Sequence, residues 1–182
     1  ISPTSALHVR EEFGDAVPLV LDGGASAVGL ESTIVDLSRG SARILRPGGI
    51  LRSQIEAWIG PIADADSVNA PRVSGALAAH YAPFKPLLLI PASEIDAPRL
   101  RADGQTLWLG LERIPDAGRG FCLGTDPLAY GRALYAALRA LDERPGIRIA
   151  VVVPPDGEAW AAIHDRLSRA AAGSGAHSDD AP

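Results

Sequence analysis

Three side chains in the stretch GLESTIVDLSRGSARILRPGGI, Gly29 to Ile50, interrupt an otherwise apolar alternation: Ser32, Thr33 and Arg46. A hydroxyl set across from a guanidinium can hold a carboxylate or a phosphate, because the guanidinium presents a fork of N–H donors and the hydroxyl adds one more. Two short strands around a tight turn would bring them together. With SRG as a three-residue loop, Ser32 lies opposite Arg46; with RG as a two-residue loop, Thr33 does. Either register puts a hydroxyl across from the guanidinium at the open end of the hairpin, where PGG leaves the backbone free to approach a ligand. Taken alone, the same residues also read as an ordinary strand threonine and a surface arginine paired with Glu31 or Asp36.

The elements that must carry this hairpin can be read from capping residues and periodicity. SPTSALHVREEFG predicts a helix from about Thr4 to Phe13, with Pro3 suited to the first turn and Gly14 as its stop. VPLVLDGG reads as a short buried strand ending in a turn, and LRSQIEAWIG as a helix closing the first unit. The following stretch, PIADADSVNAPRVSGALAAHYAPFKP, sustains neither period and reads as a linker or long ordered loop. Beyond it, PLLLIPA, QTLWLGL, GFCLG and IRIAVVVPP are near-continuous apolar runs, interleaved with the helix DPLAYGRALYAALRALDE and followed by GEAWAAIHDRLSRAAA. Buried parallel strands alternating with helices predict an α/β layered fold. The expected organisation is residues 1–60 as one unit, 61–85 as the linker, 86–172 as a small Rossmann-like unit, and 173–182 as a disordered tail.

Composition narrows the functions this frame can serve. A chain of 182 residues with 47% hydrophobic content can bury a core, and its net charge of −5 argues against a broad nucleic-acid or anionic-membrane footprint. Lys85 is the only lysine, so recognition of an anion has to lean on arginine forks and backbone N–H groups. One cysteine, Cys122, leaves no internal disulfide and suits a reducing cytoplasm, where the protein is expected. No apolar run reaches membrane-spanning length, since both candidate runs are cut by proline. The sequence contains no methionine and opens at Ile1, so it is expected to start in mid-protein.

Other chemically suggestive residues carry less. His8 and His164 fall on helices without a second ligand at metal spacing, and no metal site is expected. His80 could bond a phosphate or simply cap a turn. Cys122, in an apolar strand, reads as an inert small hydrophobe. LDGG lacks any Walker or dinucleotide pattern and reads as a turn. Trp58, Trp108 and Trp160 are expected to pack, and Asp64 and Asp66 to be solvated linker charges, with metal binding a minor option.

Read in order, SPT at Ser2 to Thr4, LDGG at Leu21 to Gly24, ESTIVDL followed by LRPG, and HYAP at His80 to Pro83 form a series. It resembles the threonylcarbamoyl-AMP synthase family, in the long form with a YrdC-like domain, a linker and a C-terminal domain. The motifs cover roughly residues 1 to 90; beyond them the likeness is one of α/β pattern and position. Two motifs that the family carries ahead of SPT, a lysine-arginine motif and SAN, are not in this sequence. The resemblance implies that Ser2 and Arg46 meet ATP, that Ser32, with Thr33 beside it, holds L-threonine, and that Tyr81 is a linker tyrosine that folds back over the cleft to the nucleotide. Where the family reads SPGM before HYAP, this chain has Val73 in place of the serine, so the linker's own phosphate contacts differ.

The implied reaction joins L-threonine, bicarbonate and ATP, with Mg2+ as its companion, into threonylcarbamoyl-adenylate and pyrophosphate. The product would pass to the transferase complex that modifies tRNA. Such chemistry is a positioning problem that needs no side-chain nucleophile, which accords with the lack of a Ser-His-Asp or Cys-His constellation. This portion alone, without the upstream motifs, is expected to be inactive. The alternative is a non-catalytic, nucleotide-binding regulatory module, which the Rossmann-like unit would permit. A carbamoyltransferase sharing the YrdC-like domain is a third reading, disfavoured by the HYAP linker and the short C-terminal unit.

Overall fold

The computed structural model describes residues 1–38, 40–63, 71, 73–75, 77, 79–97 and 104–174. The expectations for Asp64, Asp66 and most of the C-terminal tail fall outside these residues. The first helix, α1 (Ala6–Phe13), starts where the Ser5 hydroxyl accepts from the His8 N–H at 3.3 Å and stops at Gly14, whose φ is 49°. A two-stranded antiparallel hairpin follows, β1 (Ile34–Asp36) and β2 (Arg43–Arg46), and then α2 (Arg52–Ile59). Gln54 holds the start of α2 by accepting the Leu51 N–H at 2.9 Å.

The segment read as a buried strand, VPLVLDGG, forms no strand. Leu19 and Leu21 are 74% and 85% exposed, and no neighbouring strand among the described residues offers it a ladder. A strand is a paired object, and apolar composition without a partner does not make one. The turn at its end does form, with Asp22 accepting the Gly24 N–H at 2.9 Å. Trp58 is a second correction: it stands 90% exposed on α2, a helix that buries none of its residues.

The second unit is built on a four-stranded parallel sheet. Its strands β3 (Leu87–Ile90), β4 (Thr106–Gly110), β5 (Gly120–Cys122) and β6 (Arg148–Val152) run in the spatial order β3-β6-β4-β5. The central pair, β6 and β4, is the most buried, as continuous apolar runs require. Helices α3 (Pro127–Glu143) and α4 (Ala161–Gly173) pack their apolar stripes against one face. Leu107, Leu109, Ile149 and Val151 meet Tyr130, Leu134, Leu138, Ile163 and Leu167 there. Ile90, Trp108 and Ala150 face the other side, against Ala97 and Ile114. Asp126 caps α3 by accepting the Ala129 N–H at 3.0 Å, with Pro127 in its first turn. Cys122 ends β5 exposed, not buried as a packed hydrophobe would be, because the edge strand leaves that face open. No helix among the described residues is long and apolar enough to cross a membrane.

The two units are joined by side chains of α3 and α4. Asp142 receives the backbone N–H groups of Phe84 and Lys85 at 2.8 and 3.0 Å, fixing the far end of the linker. Glu158, just ahead of α4, accepts both the N–H and the hydroxyl of Ser53 at the start of α2. Arg139 on α3 reaches Glu12 and the Ile1 carbonyl.

Candidate functional site

The hairpin brings Ser32 and Arg46 together, but not through either simple register. Asp36 faces Arg43 and Val35 faces Ile44, which is the two-residue-loop register; an irregularity then sets Arg46 opposite Ile34, so neither Thr33 nor Ser32 lies directly across from it. Arg46 still reaches Ser32 by length. Its Nε donates to the Ser32 carbonyl at 3.1 Å and its Nη2 to the Ser32 hydroxyl at 3.3 Å. Its Nη1 donates to the Ser74 carbonyl of the linker at 2.8 Å. Arg46 is 6% exposed, not a surface partner of Glu31 or Asp36; Asp36 instead holds Ser38 in the turn.

Thr33 turns elsewhere. Its hydroxyl donates to the Ile50 carbonyl at 2.7 Å and accepts the Ile50 N–H at 3.3 Å, tying β1 to the segment that leads into α2. Between them the chain passes at Gly48, where an added Cβ would run into the Thr33 N–H and the Glu31 carbonyl. Only glycine allows so close a backbone approach, which keeps the segment after Arg46 pressed against the one before Thr33.

Tyr81 closes the site from above. It is the one described non-glycine residue with positive φ, 63°, a conformation a bulky side chain adopts only when its surroundings impose it. Its ring stacks on Tyr135 at 5.5 Å and meets His80 edge-on at 4.0 Å. The hydroxyl is buried beside Gly75 and the Arg46 guanidinium, with no hydrogen bond of good geometry, and an added Cβ on Gly75 would strike it. Burial, with the Glu31 charge behind it, pushes the Tyr81 hydroxyl above its ordinary pKa, so it remains a phenol.

Ser2 joins from the N-terminal side, where its hydroxyl helps hold the Glu31 carboxylate ionised. Burial pushes that carboxylate up, but hydrogen bonds from Arg166 and Ser2 outweigh it and hold Glu31 below the usual range. His80 is pushed down by burial, and its own backbone N–H donates to the Arg169 carbonyl at 3.3 Å. Ser32, Arg46 and Tyr81 therefore lie together, with Ser2 beside Glu31, while Thr33 bonds to the neighbouring backbone. His8 accepts from the Thr4 N–H at 3.2 Å and His164 contacts the Pro155 carbonyl at 2.9 Å, both local bonds. No group of three or more His, Cys, Asp or Glu among the described residues could hold a metal ion.

Sequence reasoning passed over Arg166 and named Glu31 only as a surface partner of Arg46. Arg166 is 1% exposed, its Nε donates to Glu31 Oε2 at 2.8 Å and its Nη2 to the Pro47 carbonyl at 3.0 Å. A signal was present: Ile163, Arg166, Leu167 and Ala170 fall at i, i+3, i+4 and i+7, which puts an arginine on the core-facing stripe of α4.

Comparisons with known proteins cover nearly the whole chain. Residues 50–172 match the family model "Threonylcarbamoyl-AMP synthase, C-terminal domain", and residues 1–48 match one described as "Telomere recombination". A threonylcarbamoyl-AMP synthase of Bacillus subtilis is 33% identical over 94% of this chain and 54% of its own length. One of Pyrococcus abyssi is 31% identical over 81% of this chain and 47% of its own. The chain thus spans about half the length of these curated relatives. The crystal structure of P. abyssi Sua5 complexed with L-threonine superposes with a TM-score of 0.79 at 29% identity, over 94% of this chain and 54% of that one. A variant of the same protein with an adjacent histidine and tyrosine changed to alanine gives 0.76 at 26%, with the same coverage.

Proposed function

Because this chain belongs to the threonylcarbamoyl-AMP synthase family, we propose that it supplies one wall and the lid of a site that makes threonylcarbamoyl-adenylate. The threonine nitrogen attacks the carbon of bicarbonate, water leaves, and the resulting carbamate oxygen displaces pyrophosphate from the α-phosphorus of ATP. The protein's task is to orient the reactants and neutralise charge. Ser32 binds the threonine without reacting, Arg46 and Ser2 face the triphosphate, and Tyr81 covers the nucleotide. A Mg2+ ion would enter with the triphosphate and offset part of its charge. The product then serves a tRNA-modifying transferase in the cytoplasm.

The observation that carries this reading is Arg46, buried beneath the linker with Ser32 on one side and the Ser74 carbonyl on the other. Three of its five N–H groups are engaged, one of them by a linker carbonyl that a phosphate oxygen could replace as acceptor. A lid that lends its carbonyl to the binding arginine when closed, and gives it up to the ligand, explains why a charged group is buried without a carboxylate partner. The contacts among Ser32, Arg46 and the linker support this reading. Thr33 acts one step back, by fixing the backbone beside Ser32.

The test is threonine-dependent pyrophosphate release by the full-length protein. Arg46→Ala is expected to lower kcat/KM for ATP about 10- to 100-fold, the worth of a charged hydrogen bond. Arg43→Ala is expected to change it less than about threefold, since Arg43 sits at the turn end of β2 and the Ala63 side of the hairpin. Equal losses would remove Arg46 from the site.

A further inference from the structure

One guanidinium of the sheet unit reaches both sides of the hairpin and the linker tyrosine. Arg166 on α4 contacts the carboxylate of Glu31, the residue before Ser32, and the carbonyl of Pro47, the residue after Arg46. Its third arm meets Asp165, and the guanidinium lies 5.4 Å from the centre of the Tyr81 ring. Glu31 Oε2 also accepts the Tyr135 hydroxyl at 3.0 Å, and Tyr135 stacks beneath Tyr81. The same turn of α4 reaches the linker a second time. Asp165 accepts Arg169 Nε at 3.0 Å, Arg169 Nη1 donates to the Leu77 carbonyl at 2.6 Å, and the Arg169 carbonyl accepts the His80 N–H.

A buried ion pair is a poor way to gain stability, since desolvation takes back most of the attraction and an apolar pair of the same size does as well. What an apolar pair could not do is bond a backbone carbonyl, a carboxylate and an aromatic face at once. We propose that Arg166 is a positioning residue through which the sheet unit holds the linker closed over the synthase site and fixes the backbone on both sides of the Ser32–Arg46 pair. Tyr81 keeps its left-handed backbone because the stack of Arg166 and Tyr135 leaves its ring one place to lie. The C-terminal unit thus acts on the reaction without touching the reactants. Its contribution to turnover rests on the function proposed above; its hold on the linker does not.

The experiment uses the full-length protein and two readouts, hydrogen exchange of the His80 amide without ligand and threonine-dependent pyrophosphate release. Arg166→Lys keeps the charge and can still reach Glu31, but loses the fork that also reaches Pro47. Glu31→Gln keeps the size and frees the guanidinium from its carboxylate. Each is expected to speed exchange at His80 about tenfold beyond any change in the core amides of β4 and β6, which follow only global stability, so that the extra opening is local. kcat is expected to fall about tenfold or more, with the unfolding midpoint corrected for. Wild-type exchange at His80 together with wild-type kcat in whichever variant folds would overturn the proposal. Faster exchange in a protein that releases no pyrophosphate even as wild type would keep the positioning role and reject the proposed function. Exchange that quickens equally at His80 and in β4 and β6 would make Arg166 a stabilising residue only, which also overturns it.

Discussion

The two units bury opposite kinds of side chain. Among the described residues of 1–60, the buried side chains are Thr4, Asp36 and Arg46, all polar, while Leu7, Leu19, Leu21, Val28, Leu37 and Trp58 are exposed. In the sheet unit the order is reversed: Leu107, Leu109, Leu134, Leu141, Ile149 and Val151 are at most 2% exposed, and Arg166 and Thr106 are the polar exceptions. One unit is held by its own apolar core, at about 2 kcal/mol for each fully buried aliphatic side chain. The other is held by hydrogen bonds to backbone, close glycine contacts and docking against α3 and α4.

That contrast gives the largest expected effect. Leu109→Ala, at 0% exposure in the centre of β4, should cost this chain about 3–5 kcal/mol in urea unfolding, because the tightly packed sheet cannot collapse into the void. Trp58→Ala, at 90% exposure, should change it by less than about 0.5 kcal/mol. A large loss on Trp58→Ala would mean that the first unit has an apolar core after all, and the comparison would fail.

What could be read in advance follows the same division. Apolar runs and capping residues announced all four parallel strands and both long helices, because burial on both faces leaves a mark in composition that does not depend on partners. In the first unit the helices and the hairpin were legible from Pro3, Gly14 and the turn residues, but the strand expected at VPLVLDGG was not there, since pairing is a property of the neighbour. The hairpin register was legible in part: the two-residue loop pairs Asp36 with Arg43 and Val35 with Ile44, but the shift at Arg46 leaves no mark in the sequence. The irregularity between Ile34 and Val35 accompanies Arg46 turning inward to Ser32 and Ser74, and no local propensity records it. Ser2, Ser32, Arg46 and Tyr81 were singled out through the order of their motifs. Arg166 and Glu31 escaped because each was read by its own segment, while their meaning lies in a contact 135 positions apart in sequence.

An intermediate effect tests whether the polar interface behaves as an ion pair. Glu31 has its carboxyl held below the ordinary value of 4.5, so folding is favoured by its ionised form. The stabilisation is present above that ordinary value and is lost as pH falls through the lower folded value. Glu31→Gln should therefore lower stability at pH 7, by about 1–2 kcal/mol given that the carboxylate is partly solvated. The gap to wild type should close as the solution is taken below about pH 4.5. Thermal or urea unfolding from pH 7 to pH 3 measures it, and a gap that stays constant would show that the carboxylate's charge contributes nothing to docking.

The smallest effect separates support from binding at the hairpin itself. Thr33 and Ser32 are adjacent hydroxyls, yet Ser32 is bonded to Arg46 and Thr33 to the Ile50 backbone. Thr33→Val keeps the branched shape that suits the end of a strand and removes only the hydroxyl. The Ile50 N–H and carbonyl then lose a partner at a partly solvated position, for a cost of about 1 kcal/mol in unfolding free energy. Were Thr33 a backbone tie alone, the KM for L-threonine in the full-length protein should rise less than about threefold, and Thr33→Ser should restore stability because it returns the hydroxyl. Ser32→Ala should do the reverse, raising the KM for L-threonine about tenfold while moving stability little. A threonine KM that rises as much in Thr33→Val as in Ser32→Ala, with unfolding unchanged, would place both hydroxyls on the substrate and make the bond to Ile50 incidental.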